Sequence, residues 1–242
     1  MQRSLHMVQM KIATKLLFRE NRSYSYPRIE ADPGYALHCL LAELFGEHSP
    51  KPFSMESSMG GEVIISGYAP AAASALLEHA QLFAGPDLFA ALEGGSLLSK
   101  ELPNVFRPGM RLGFRVRVCP VVRKEVEVNG KTRVIESDAY RDKASLSSRE
   151  EVYSDWLQKR FAASGAAEIN SLKLCSYTSV RLLRRTQGNE RCSHTLQRPA
   201  CVFEGVLTVC DGDRFFELLC SGIGRHKAFG FGMLLIRPAG KL

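Results

Sequence analysis

The stretch from Asp32 to Gly46 constrains this chain most. Asp32 offers a carboxylate to cap a helix, and Pro33 suits the first helical position. Leu37, Leu40, Leu41, Leu44 and Phe45 then recur at helical spacing, and Gly46 ends the run. A helix with one apolar face must bury it against a second layer. The flanking segments read as that layer. Leu5 to Leu17 is apolar-rich and reads as a strand. Pro52 to Met59 and Glu62 to Tyr68 read as a hairpin around Gly60-Gly61. Ala69 to Ala84 reads as a second helix, and Leu88 to Leu102 holds a further strand.

The order strand, helix, strand, strand, helix, strand is the split βαβ pattern of ferredoxin-like folds. A second α+β unit follows from about residue 105. Arg111 to Val118 alternates strictly, with Leu112, Phe114, Val116 and Val118 on one face and Arg111, Arg115 and Arg117 on the other. Val121 to Ser147 is polar, with a turn at Asn129-Gly130, and reads as an inserted hairpin or mobile segment. Ser148 and Glu151 form a capping box ahead of Val152, Trp156, Leu157 and Phe161. Leu172 to Arg198 carries six Lys/Arg against Glu190 alone, and Gly188-Asn189 marks a turn, so a long basic hairpin is expected. Val202 to Val209 reads as a strand. Asp211 or Asp213 caps a short helix through Phe215, Phe216, Leu218 and Leu219, and Met233 to Ile236 is a final strand.

Charge divides the same way. Residues 1–104 carry a net −3 and residues 105–242 a net +10, within a total of +7. A basic half fits a polyanionic partner, although composition does not separate RNA from DNA or from an anionic surface. No apolar run is long enough to span a membrane, and no signal peptide is read at the start. The seven cysteines are scattered and form no CxxC pair, which fits free thiols in a reducing compartment. Cys175, Cys192, His194 and Cys201 lack the tight paired spacing of metal sites, so no metal is expected.

The glycines Gly222, Gly224, Gly230 and Gly232 surround Arg225, His226 and Lys227. A nucleotide-binding glycine loop needs a strand before it and a helix after it, and here that order is reversed. Close approach to an RNA backbone or to another chain segment fits better than a simple turn.

This run resembles the glycine-rich loop of CRISPR repeat-processing endoribonucleases. Three further stretches narrow the resemblance to the CasE type. They are Val202-Phe-Glu-Gly-Val-Leu-Thr-Val209, Arg107-Pro-Gly-Met-Arg-Leu-Gly-Phe-Arg-Val-Arg-Val-Cys-Pro120, and Tyr35-Ala-Leu-His38, which matches a Tyr-x-x-His in the first helix of that group. The resemblance implies an α+β architecture of two tandem ferredoxin-like (RRM-like) domains, residues 1–104 and 105–242. It implies an endoribonuclease that cuts CRISPR repeat hairpins without metal or cofactor and stays bound in a Cascade-like complex in the cytoplasm. A non-catalytic RNA-hairpin-binding subunit is the alternative.

Tyr35 and His38 lie about 60° apart on a helix and can serve one site. His38 falls at the flank of the apolar face. The RNA 2′-hydroxyl attacks the adjacent phosphate, leaving a 2′,3′-cyclic phosphate and a 5′-hydroxyl. An imidazole can move the protons near neutral pH, as base or acid. Tyr35 would orient the ribose or phosphate. Arg181, Arg184 and Arg185 are expected to enter the stem from the basic hairpin, with Arg115, Arg117, Arg225 and Lys227 on the backbone.

Overall fold

The computed structural model describes residues 4–13, 32–58, 62–92, 97–128, 130–141, 147–185 and 193–239. The first unit contains β1 (His6–Ala13), α1 (Pro33–Phe45), β2 (Phe53–Ser58), β3 (Glu62–Ala69), α2 (Ala73–Phe83), a single turn α3 (Pro86–Phe89) and β4 (Leu98–Glu101). Its sheet runs β2-β3-β1-β4, with every neighbouring pair antiparallel. Leu37, Leu40, Leu41, Leu44 and Phe45 of α1 are buried against Val8, Met10, Ile12, Phe53 and Ile65 of that sheet. Each such side chain contributes roughly 1.5–3 kcal/mol by leaving water.

The second unit contains β5 (Arg111–Val118), the hairpin β6 (Val121–Val128) and β7 (Lys131–Asp138), α4 (Arg149–Ser164), β8 (Ala167–Arg185), β9 (Ser193–Val209), α5 (Gly212–Ser221) and β10 (Leu234–Pro238). Its sheet runs β10-β5-β9-β8, the strand order of the first sheet repeated, while β6 and β7 pair only with each other. The chain is therefore two tandem ferredoxin-like units with a hairpin inserted into the second. Its core joins Phe114, Val116 and Val118 to Trp156, Leu157 and Phe161 of α4 and to Phe215 and Leu219 of α5.

The local signals in the sequence are realised at both helix starts. Asp32 Oδ1 accepts from the Tyr35 amide at 2.9 Å, and Ser148 and Glu151 complete the reciprocal capping box. Two segments differ from expectation. Ala69 ends β3 and α2 begins only at Ala73, because Ala69 still pairs with His6 across the sheet. The expected strand from Leu88 opens as α3, and only Leu98 to Glu101 pairs with β1. The turns near Gly60-Gly61 and Gly188-Asn189 lie outside the described residues.

β8 and β9 pair from Ala167 opposite Val209 to Arg185 opposite Ser193. β5 covers only the Cys201–Thr208 part of β9, so the remainder of the pair is a two-stranded ribbon. The two units share an interface. Leu5 and Tyr68 of the first unit pack in the core of the second. The buried Tyr68 hydroxyl donates to the Leu234 carbonyl oxygen at 2.7 Å. Among the described residues no helix is long and apolar enough to cross a membrane.

Candidate active site

The Asp32 cap fixes where α1 begins, and so places Tyr35 in its first turn and His38 one turn further. Both rings are half-buried, their centroids 6.4 Å apart. The leucine face of α1 is spent on the sheet, which leaves this pair at its edge. Tyr35 stacks on Phe229 of the glycine loop, at 5.8 Å and 27° between planes. Gly34 permits that approach. A β-carbon there would lie 2.3 Å from the Phe229 carbonyl oxygen.

Lys51, just before β2, is held by its amide donating to the Tyr68 carbonyl oxygen at 2.8 Å. Its ammonium acts on two neighbours. Burial first, and Lys51 second, hold the His38 imidazole below its ordinary pKa. The same two causes, in the same order, lower Lys227. Lys51 and Lys227 line one cavity with Phe229. A histidine in these surroundings is neutral at neutral pH and presents a lone pair, the form that accepts a proton.

The glycine loop is closed on itself and pinned to β5. Ile223 N–H donates to the Gly232 carbonyl oxygen at 2.8 Å, and Gly232 N–H donates to that of Arg117 at 2.7 Å. Gly222, Gly224, Gly230 and Gly232 all have left-handed backbone. At Gly232 space also demands glycine, since a β-carbon would lie 2.4 Å from the Ile223 carbonyl oxygen. The loop glycines thus serve chain-on-chain packing directly. His226 is the one non-glycine residue among those described with positive φ, at 62°.

Glu136 of β7 anchors that strained residue. His226 Nε2 lies 3.1 Å from Glu136 Oε2, Arg225 Nε pairs with the same carboxylate, and Arg198 reaches it at 3.8 Å. Burial acts to raise the Glu136 pKa. His226, Arg225 and Arg198 together outweigh it and hold the carboxyl below its usual range. The inserted hairpin is therefore an ordered strut against the glycine loop.

The other basic residues fall into distinct settings. Arg115 is exposed and ion-paired to Glu204 at 2.9 Å and to Glu56 at 3.8 Å. Arg117 departs from the open face that alternation predicts. Its guanidinium lies 4.4 Å over the Phe231 ring, its Nη1 is buried without a hydrogen-bond partner, and burial lowers its pKa. The reason is that the glycine loop covers this end of β5. Arg181 is exposed on the ribbon and lines a smaller cavity of about 270 Å³ with Arg117, Gly34 and Phe229. Arg184 and Arg185 end β8 opposite His194 and Ser193. Their side chains, like Cys192, lie outside the described residues.

The structure thus gathers Tyr35, His38, Lys227 and Phe229 and sets Arg115 apart. Phe229 lies within the glycine run, whereas Lys51, Gly34 and Glu136 carry no motif that would single them out in the sequence. A lysine before a proline and a glutamate in a polar hairpin look like ordinary surface residues.

Comparison with known proteins bears on the whole chain. The family model for CRISPR associated proteins matches residues 13–238. CRISPR-associated endoribonuclease Cse3 of Thermus thermophilus is 30% identical over 144 residues, which cover 57% of this chain and 61% of that protein. The structure of Thermus thermophilus Cse3 bound to an RNA representing a pre-cleavage complex superposes with a TM-score of 0.59 at 20% identity, over 97% of this chain and 100% of that one. Escherichia coli K-12 Cas6e gives the same TM-score, 0.59, and the same coverage, 97% and 100%, at 18% identity. At such identities the likeness is one of fold.

Proposed function

The chain belongs to the CRISPR-associated protein family, and from that premise we propose that it is a metal-independent endoribonuclease. It binds the repeat stem-loop of a CRISPR transcript, cuts at the base of the stem, and leaves a 2′,3′-cyclic phosphate and a 5′-hydroxyl. The observation that carries the reading is the convergence of Tyr35 and His38 with Lys51 and Lys227 at the glycine loop. Among the relatives, Cse3 is named an endoribonuclease, which supports the same reaction.

The chemistry follows from the site. The RNA supplies its own nucleophile, so the protein must take the 2′-hydroxyl proton and balance the charge that builds on phosphorus, while the P–O5′ bond breaks and the departing 5′-oxygen takes up a proton from water. Neutral His38 takes that proton as general base, the role that its lowered pKa favours. Tyr35, held flat against Phe229, directs its hydroxyl at the ribose or phosphate. The Lys51 and Lys227 ammoniums stabilise the phosphorane. Residues 1–104 then carry the catalytic helix, and residues 105–242 grip the stem. Arg181, Arg184 and Arg185 enter from the β8–β9 ribbon. Arg225, Lys227 and the Gly222–Gly232 loop lie against the backbone near the cut, with Arg117 supporting that loop from beneath. The protein keeps its product hairpin, joins other subunits of a Cascade-like effector complex, and acts in the cytoplasm.

The test is cleavage of the cognate repeat hairpin in EDTA, with product ends read by mass spectrometry. A cyclic phosphate from the wild-type chain is expected. His38→Ala should slow the cut by about 10²–10⁴-fold while the hairpin still binds. Unchanged cleavage by that variant would overturn the assignment.

A further inference from the structure

The cavity beside the glycine loop has a volume of about 570 Å³, within the roughly 300–1,000 Å³ range of pockets that enclose a small ligand. Its walls are chemically divided. Lys51, Arg225 and Lys227 supply cations, and Leu182, Leu196 and Phe229 supply apolar surface. Glu136 also lines it, but that carboxylate is engaged by Arg225, His226 and Arg198. Among the described residues neither Lys51 nor Lys227 has a carboxylate partner, although Lys227 feels the charge of Lys51 after the larger effect of burial. Two like charges held close in a partly buried site are costly, and an anion placed between them relieves the cost.

An anion alone would leave the apolar wall unused. A nucleotide satisfies both walls, with phosphate on one side and a flat base on the other. A base paired within a stem cannot turn into such a cavity, whereas an unpaired one is free to do so. The position is set by Phe229, which faces the cavity and also stacks on Tyr35.

We propose that this cavity holds the unpaired nucleotide next to the scissile phosphate. Its 5′-phosphate, which is the scissile one, lies between Lys51 and Lys227, and its base lies against Leu182, Leu196 and Phe229. The proposal rests on the endoribonuclease reading and adds a subsite that selects single-stranded RNA beside the stem.

The experiment is single-turnover cleavage by the full chain of repeat hairpins with an abasic ribose at the first unpaired nucleotide on either side of the cut. The one abasic on the 3′ side should be cut about tenfold more slowly than intact RNA, the size expected for a lost stacking contact. Leu196→Trp, which fills the cavity, should slow the intact RNA similarly and make that abasic substitution silent. A second readout needs no variant. With 2-aminopurine at the sensitive position and a 2′-deoxy block at the cut, emission should change on binding to the wild-type chain. If wild type cuts both abasic RNAs as fast as intact RNA and emission does not change, the nucleotide pocket is wrong and the endoribonuclease reading stands. If the folded chain cuts no repeat hairpin at all, both fall together.

Discussion

The carbonyl oxygen of Phe229 occupies the space where a side chain on Gly34 would project, 2.3 Å from the position of its β-carbon. This contact sets the first turn of α1 directly on the glycine loop of the other unit. It also reverses a helix rule. Alanine is normally better than glycine inside a helix by about 1 kcal/mol, yet here the methyl group has backbone in its way. Gly34→Ala is expected to destabilise the protein by about 1–3 kcal/mol, an overpacking cost. It should also slow cleavage, because Tyr35 loses its register on Phe229. Urea unfolding and single-turnover rates check both parts. A stabilised variant would show that the loop yields freely.

The pH dependence follows from His38. Its pKa lies below the ordinary value of about 6.5, through burial and then Lys51. A general base works when deprotonated. Cleavage should therefore be flat at neutral pH and fall as pH drops through that lowered value. Lys51→Met removes the repulsion and leaves the burial, so its low-pH limb should move upward while its plateau rate falls. A rate that rises on acidification from neutral pH would make His38 the acid instead.

Glu136 is a stability element with a predictable sign. Its folded pKa is depressed by His226, Arg225 and Arg198 against the opposing effect of burial. Its contribution is therefore complete above the ordinary glutamate value of about 4.3 and is lost as pH falls through the lower folded value. Glu136→Gln leaves Arg198 and Arg225 facing each other without an anion. The expected loss at neutral pH is about 1–2 kcal/mol, less than for a fully buried pair because the cluster is only half-buried and partly screened by water. The variant should also show a flatter acid limb in denaturation measured against pH.

Tyr68 tests the coupling of the two units. Its hydroxyl is buried and donates to the Leu234 carbonyl oxygen across the interface. Tyr68→Phe should cost about 1 kcal/mol, one hydrogen bond with its packing retained. Equilibrium unfolding measures the cost. Stability unchanged from wild type would mean that water replaces the hydroxyl.

The sequence by itself determined the elements and much of their order. Asp32-Pro33 and the leucine spacing specify α1 because capping and helical periodicity act within a few residues. The alternation from Arg111 to Val118 likewise specifies β5, and the Tyr35–His38 spacing puts both rings on one edge of a helix. Tertiary structure alone decided what surrounds that pair. Lys51 comes from the loop just before β2, Phe229 and Lys227 from the far end of the chain, and Glu136 from an inserted hairpin. It also turned Arg117 from an open-face cation into a covered one. Coulombic repulsion, desolvation and steric exclusion depend on distance in space. Residues far apart along the chain acquire those relations only when two cores pack against one another.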